Sequence, residues 1–346
     1  MELFNPALEE NITFVRPAYF IITGFIGIPN VNFYFVFLLF VYVLSVVGNG
    51  TVLTLIIVDH TLRGPKYVAV FSLALTDILS STAFLPKIID IFLFNHRYIS
   101  YNECLTFMFF GFTLPAMQSF NLVALSYDRL MAIMYPLHYQ VKVTQRFMIN
   151  LIAFLWIFSI TLILILVTHK IMFFLIASFW FFAIIAVLTA VGLLSRLSFC
   201  RSVVINSYFC DHGLMFELAC NDNFPSIIIS FILPVFILWL PMIFILSSYI
   251  CIAIALFRVA VVKERVKALK TCTGHLSLVA IYFIPILITF TIGAEIHPNA
   301  RIINLSLTSV FPPMLNPIVY VLHTQEIRLS IKRILKFTQR DKVMAK

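Results

Sequence analysis

Charge is what this sequence has least of. Asp, Glu, Lys and Arg make up 11% of its 346 residues, against about a quarter in a soluble globular domain. So few ionised groups cannot cover a water-facing surface of this size, and a soluble globule is excluded. No nucleophile elbow, glycine-rich phosphate loop or histidine-cysteine spacing of the zinc type occurs. Those gaps argue against an enzyme and leave no cofactor or metal to accommodate. The opening residues, MELFNPALEENITF, have no basic segment leading into a short apolar core and small-residue cleavage site, so no removed signal peptide is expected.

What is present is apolar. Hydrophobic residues make up 62% of the chain, phenylalanine alone contributes 37, and the mean hydropathy is +1.03. Apolar runs fall near 33–58, 67–93, 105–127, 147–168, 171–194, 226–251, 272–294 and 302–322. Each is close to the ~20 residues a helix needs to cross about 30 Å of hydrocarbon. The net charge of +9 does not point to nucleic acid, because the basic residues lie scattered in short connections. Arg63 and Lys66, Lys142 and Arg146, Arg258 to Lys270, and the tail from Lys332 to Lys346 form four basic regions. The positive-inside rule makes all four cytoplasmic. Asn11-Ile12-Thr13 is a glycosylation sequon ahead of the first run and suggests a luminal, hence extracellular, N-terminus.

This topology conflicts with the count of runs. Arg146 and Arg258 share a side, so an even number of crossings must separate them, yet three apolar runs lie between. LIAFLWIFSI from Leu151 and LIASFWFFAI from Leu175 match at six of ten positions with an offset of 24 residues. A local duplication within 147–194 explains the surplus. One copy spans and the other lies at the interface, or both form one over-long tilted helix; two full spans would invert everything downstream. The expectation is seven functional spans.

Six cysteines are unevenly placed. Cys104 precedes the third run, and Cys200, Cys210 and Cys220 follow at ten-residue intervals on the same, oxidising side. Four cysteines allow three pairings, and spacing does not choose among them. Cys251 and Cys272 fall at inner helix ends and are expected to stay reduced.

Asp128 and Arg129 set an acid beside a base in this charge-poor chain. Cys104 to Arg129 is 25 residues, or ~38 Å of helix, so the pair is delivered to the cytoplasmic edge. An acid that holds the arginine in one state and releases it in another makes a bistable contact. The surrounding SYDRLMAIMYPLHY resembles the corresponding signature of olfactory receptors, within the rhodopsin-like G-protein-coupled receptors. Further matches follow in order: GNGTVL at Gly48, LALTDILSS at Leu73, KALKTCTGHL at Lys267 and PPMLNPIVYVLHTQEIR at Pro312. ITGFIGIPN at Ile22 and YFIP around Pro285 look like the class I, fish-like branch. Leu130, Met134 and Gly274 depart from the family pattern without removing a charged element.

The resemblance implies an all-α membrane protein: a seven-helix bundle with the fourth-helix segment duplicated and a short amphipathic C-terminal helix, on which Ile327, Ile331, Ile334 and Leu335 share a face. It implies an extracellular segment 1–32, a receptor domain 33–322 and a cytoplasmic tail 323–346 in the plasma membrane. It also implies bridges Cys104–Cys210 and Cys200–Cys220. A small odorant would lie among Met108, Gly111, Phe112, Pro115, Ser119, Leu233, Ile237, Tyr282, Ile286, Phe290, Ser306 and Ser309. Asp128, Arg129, Tyr249, His275, Asn316, Pro317 and Tyr320 would form the activation switch, with Asn49 and Asp77 in a polar network, and an olfactory-type stimulatory G protein would be the partner. Several relatives recognise carboxylates through an arginine near the outer end of helix six, where this chain reads TIGAEIHP. The absence of an arginine there favours neutral or cationic ligands over acids. A receptor for an amine or peptide is the nearer alternative. A helical transporter is the more distant one, since it should carry an inverted repeat or a charged midplane path.

Overall fold

The computed structural model describes residues 16–62, 65–134, 185–200, 202–257, 262–292, 296–324 and 326–333. Six long helices dominate: α1 (Asn32–Val58), α2 (Pro65–Phe92), α3 (Tyr101–Met134), α5 (Phe224–Phe257), α6 (Val262–Ile292) and α7 (Pro298–His323). All six contain a stretch long and apolar enough to cross a membrane. A shorter apolar helix, α4 (Ile185–Leu194), precedes the loop to α5. Residues 326–333 form α8. Asn11, the 147–168 run and the start of the 171–194 run lie outside the described residues, as do both matched decapeptides.

Helix is the necessary conformation here, because in hydrocarbon each backbone N–H and C=O must find its partner within its own segment. On α1 the buried residues Phe35, Leu38, Val41, Ser45, Asn49, Val52 and Leu55 recur every three or four positions. Phe33, Phe37, Phe40 and Val47 stay exposed on other faces, where acyl chains are as apolar as they are. α1 packs on α2 and α7, α2 on α3, α3 on α5, and α6 on α7. Proline interrupts every long helix after α1, at Pro86, Pro115, Pro234, Pro285, Pro312, Pro313 and Pro317. Immediately after Pro234 the α5 backbone widens into a π-helical turn over Val235–Trp239. At Pro285 the neighbouring helix helps: Asn304 Nδ2 donates to the proline carbonyl at 2.7 Å and to Thr289 Oγ1 at 2.7 Å.

The expectation of an all-α chain needs correction at the outer face. Three short strands, β1 (Tyr19–Ile22), β2 (Tyr98–Ser100) and β3 (Val204–Ile205), form a sheet in the order β2-β1-β3. β1 pairs antiparallel with β2 and parallel with β3. Outside the hydrocarbon an extended segment can pair with loops, which apolar periodicity does not register. Alternate residues Phe20 and Ile22 are fully buried beneath the sheet, and Phe20 packs against Tyr101 and Phe199. Gly24 then turns the chain with φ +67, and a Cβ there would overlap the Phe92 ring. The inner end has its own tie: Arg333 on α8 reaches Asp59, just beyond α1, at 3.4 Å, and Ile327 is buried against the bundle.

Candidate functional site

Two adjoining chambers lie at the end of the bundle that carries both disulfides. The inner one, about 130 Å³, lies among α2, α3, α5, α6, α7 and the loop before α5. Its floor is Gln118 and Tyr282, its walls are largely apolar, and its roof includes Tyr208, Phe209, Asp211 and Arg301. The outer one, about 290 Å³, lies between the short loop helix His212–Glu217 and the first turns of α5. Phe112, Leu233, Thr289, Phe290, Asp211 and Arg301 line both.

The roof is held rigidly. Cys210 is bridged to Cys104 at the start of α3, and Cys200 to Cys220 closes the rest of the loop. Asp211 caps the loop helix, its Oδ1 accepting from Gly213 N at 2.9 Å. Its Oδ2 accepts from Arg301 Nη2 at 2.6 Å. His212 is buried, which pulls its imidazole down to about 4 despite Asp211 beside it.

Beneath the chamber, polar side chains knit the helices together. Asp77 on α2 accepts from Gln118 Nε2 at 2.8 Å and from Asn316 Nδ2 at 2.7 Å. Asn49 Nδ2 donates to the Pro313 carbonyl at 2.7 Å. Ser72 donates to Asn121 at 2.9 Å, and Asn121 to Thr76 at 3.0 Å. Buried polar groups this deep in a bilayer are costly unless paired, and each of these side chains has a partner, though Asn49 Oδ1 has none among the described residues. Where α1 meets α7, a Cβ on Gly48 would come within 3.1 Å of Pro317.

The family model described as olfactory receptor matches residues 165–338, and the one described as 7 transmembrane receptor (rhodopsin family) matches 48–171. Human Olfactory receptor 2A12 is 32% identical over 332 residues, covering 95% of this chain and 98% of that protein. Human Olfactory receptor 51I1 is also 32% identical, over 335 residues and the same shares, and human Olfactory receptor 51E2 is 28% identical over 331 residues. The chain belongs to the olfactory receptor family. It is a multi-pass membrane receptor of the rhodopsin class, and not an enzyme.

Of the receptor's twelve ligand candidates, Gly111, Phe112, Pro115, Leu233, Ile237, Tyr282, Ile286, Phe290 and Ser309 line the inner chamber. Three do not. Met108 is buried in the outer core near Cys104. Ser119 sits below the floor and donates to the Tyr282 hydroxyl at 3.2 Å. Ser306 bonds Tyr34 on α1 at 2.6 Å. Reasoning from sequence missed Ser80 and Phe84 on α2, Gln118, Tyr208, Asp211, Thr289, Thr308 and Arg301. Arg301 matters most, because the argument from a missing arginine on helix six overlooked one supplied by α7. A lone charge in the first turn of an apolar helix was its visible signal.

At the other end of the receptor, Arg129 Nη2 lies 3.4 Å from Asp128 Oδ2, with Asp128 fully buried and Arg129 partly so. α3 continues past the pair to Met134. The Tyr249 and Tyr320 hydroxyls are buried, without a hydrogen-bond partner among the described residues. His275 lies on the inner half of α6. Cys251 is exposed and Cys272 buried, and neither is bridged.

Proposed function

We propose that this protein is an odorant receptor that takes a small, mostly apolar molecule into the inner chamber and activates an olfactory-type stimulatory G protein. The chamber carries this reading: an apolar cavity with a few converging polar groups, under a loop fixed by two disulfides. Its volume of about 130 Å³ compares with the ~150 Å³ engineered apolar cavity that admits benzene. An occupant of one six-membered ring, or an alkyl chain of similar bulk, fits. The Asp128–Arg129 pair at the opposite end supplies a contact that can be made in one arrangement and broken in another. Basic residues between α5 and α6 and along the tail support an orientation with the N-terminus extracellular and the C-terminus cytoplasmic. The ITGFIGIPN and YFIP segments support a place in the class I branch.

The test is cAMP in cells co-expressing the receptor and the olfactory stimulatory G protein, with surface labelling of both termini. Ligand-dependent cAMP and termini on opposite sides are expected. Termini on the same side would mean that both copies of the duplicated segment span the membrane, inverting the downstream helices.

A further inference from the structure

We infer that Arg301 is the polar anchor of the ligand chamber, and that the ligand class is a small neutral hydrogen-bond acceptor: a ketone, aldehyde or ester rather than an amine or a carboxylate. This rests on the odorant-receptor reading above and specifies its ligand.

The observation is an imbalance within one ion pair. Asp211 and Arg301 stand together on the wall common to both chambers, so any molecule passing inward meets them. Both oxygens of the acid are engaged: Oδ1 accepts the backbone N–H of Gly213, and Oδ2 accepts from Arg301. The base is not. Its Nη2 is committed to Asp211, but its buried Nε has no hydrogen-bond partner, and a guanidinium carries five N–H donors. About a quarter of the side chain, 27%, is still accessible, against 12% for Asp211. The wall therefore offers unused N–H donors beside a carboxylate whose two oxygens each already accept a bond.

Charge decides among acceptors. Asp211, 2.6 Å away, already neutralises the guanidinium, and Glu217 adds a second carboxylate on the outer chamber wall. A ligand carboxylate would be desolvated beside Asp211, with no net positive charge to compensate it. An ammonium would have to share Asp211 with Arg301, against the repulsion of the guanidinium. A carbonyl incurs neither cost and takes a hydrogen bond from a charged donor. The site is rigid enough to select, since Asp211 adjoins the bridged Cys210 and Arg301 lies in the first turn of α7, behind Pro298.

The experiment uses the full-length receptor in the cAMP assay with four probes built on one ring: acetophenone, ethylbenzene, benzylamine and benzoate. Acetophenone should be the most potent. Arg301→Lys keeps a partner for Asp211 but loses the planar fork, and Arg301→Gln removes the charge; both, present at the surface by labelling, should lose roughly ten- to hundredfold in acetophenone potency while ethylbenzene changes little. Asp211→Asn leaves the guanidinium un-neutralised and should raise benzoate potency relative to acetophenone, a change that a merely structural role would not produce. The inference is overturned if benzylamine or benzoate is best at the unmodified receptor, if both Arg301 variants keep their acetophenone response, or if all four probes are silent. The parent reading falls separately, when a broad odorant panel also leaves cAMP at its resting level in cells displaying the receptor.

Discussion

Replacing Gln118 by methionine keeps the side-chain volume and removes one of the two hydrogen bonds that Asp77 accepts. Each carboxylate oxygen has one side-chain donor, Gln118 at 2.8 Å and Asn316 at 2.7 Å, and the residue is fully buried. Neutral interhelical hydrogen bonds in membranes are worth only about 0.6 kcal/mol on average by double-mutant cycles. A bond to a charged group is worth roughly twice that or more. The cycle Gln118→Met, Asp77→Ala and the double variant should give a coupling of about 1–2 kcal/mol for a bond to a carboxylate. The assay is unfolding in mixed detergent micelles, with cAMP recorded on the same four proteins. A coupling at or below the ~0.6 kcal/mol of a neutral pair would refute the reasoning that the Gln118–Asp77 bond is stronger than an ordinary interhelical one.

Asp128→Asn removes the buried acid 3.4 Å from Arg129, so resting cAMP should rise at constant surface level, whereas Arg129→Gln should abolish stimulated cAMP; unchanged output in both would exclude the pair as a switch. Gly24→Ala places a Cβ at φ +67 and into the Phe92 ring, so hydrogen exchange at Tyr19–Ile22 should accelerate as β1 detaches, with the backbone alone costing about 1–2 kcal/mol. Removing the Cys104–Cys210 bridge, separation 106, should lower thermal stability more than removing Cys200–Cys220, separation 20, by roughly 1–2 kcal/mol on chain-entropy grounds. His212, held down near 4 by burial, binds its proton more readily when the roof is open. Roof stability is therefore full above about 6.5 and declines as pH falls toward 4, by on the order of 3 kcal/mol in total. Hydrogen exchange across His212–Glu217 would show this, and His212→Gln should flatten the profile.

Much of the bundle was legible because lipid imposes a simple rule on sequence. α1 was read as 33–58 and observed as Asn32–Val58, since the apolar run and the helix are the same object. The ends of α3 and α6 were less legible: α3 runs from Tyr101 to Met134 and α6 begins at Val262, beyond the apolar stretches. Outside hydrocarbon, helix length follows hydrogen bonding rather than hydropathy. β1 and its partners were not legible, because pairing depends on which loops meet at the outer face. Within the chamber, residues on helix faces were carried over from the family's geometry, while Tyr208, Asp211 and Arg301 were missed because loop and helix-end geometry sets their direction. Gln118 was within reach: it lies seven residues, two turns, after Gly111 on the same face of α3.

Two side chains, Gln118 and Tyr282, line both the ligand chamber and the small cavity of about 10 Å³ beside Asp77. Each is also hydrogen-bonded to a neighbouring helix, Gln118 to Asp77 and Tyr282 to the Pro115 carbonyl at 2.5 Å. An occupant pressing on the floor therefore acts directly on bonds that join α2 to α3 and α6 to α3. Lying between two sites is not coupling, since many packed residues do so without transmitting anything. What separates this pair is that each bond is discrete and can be broken, and one of them ends on a buried carboxylate. The receptor's response should then depend on the Gln118–Asp77 bond more than on the apolar wall around it. Enlarging that wall at Ile237 or Ile286 should change which probe binds, whereas Gln118→Met should change how strongly any bound probe raises cAMP.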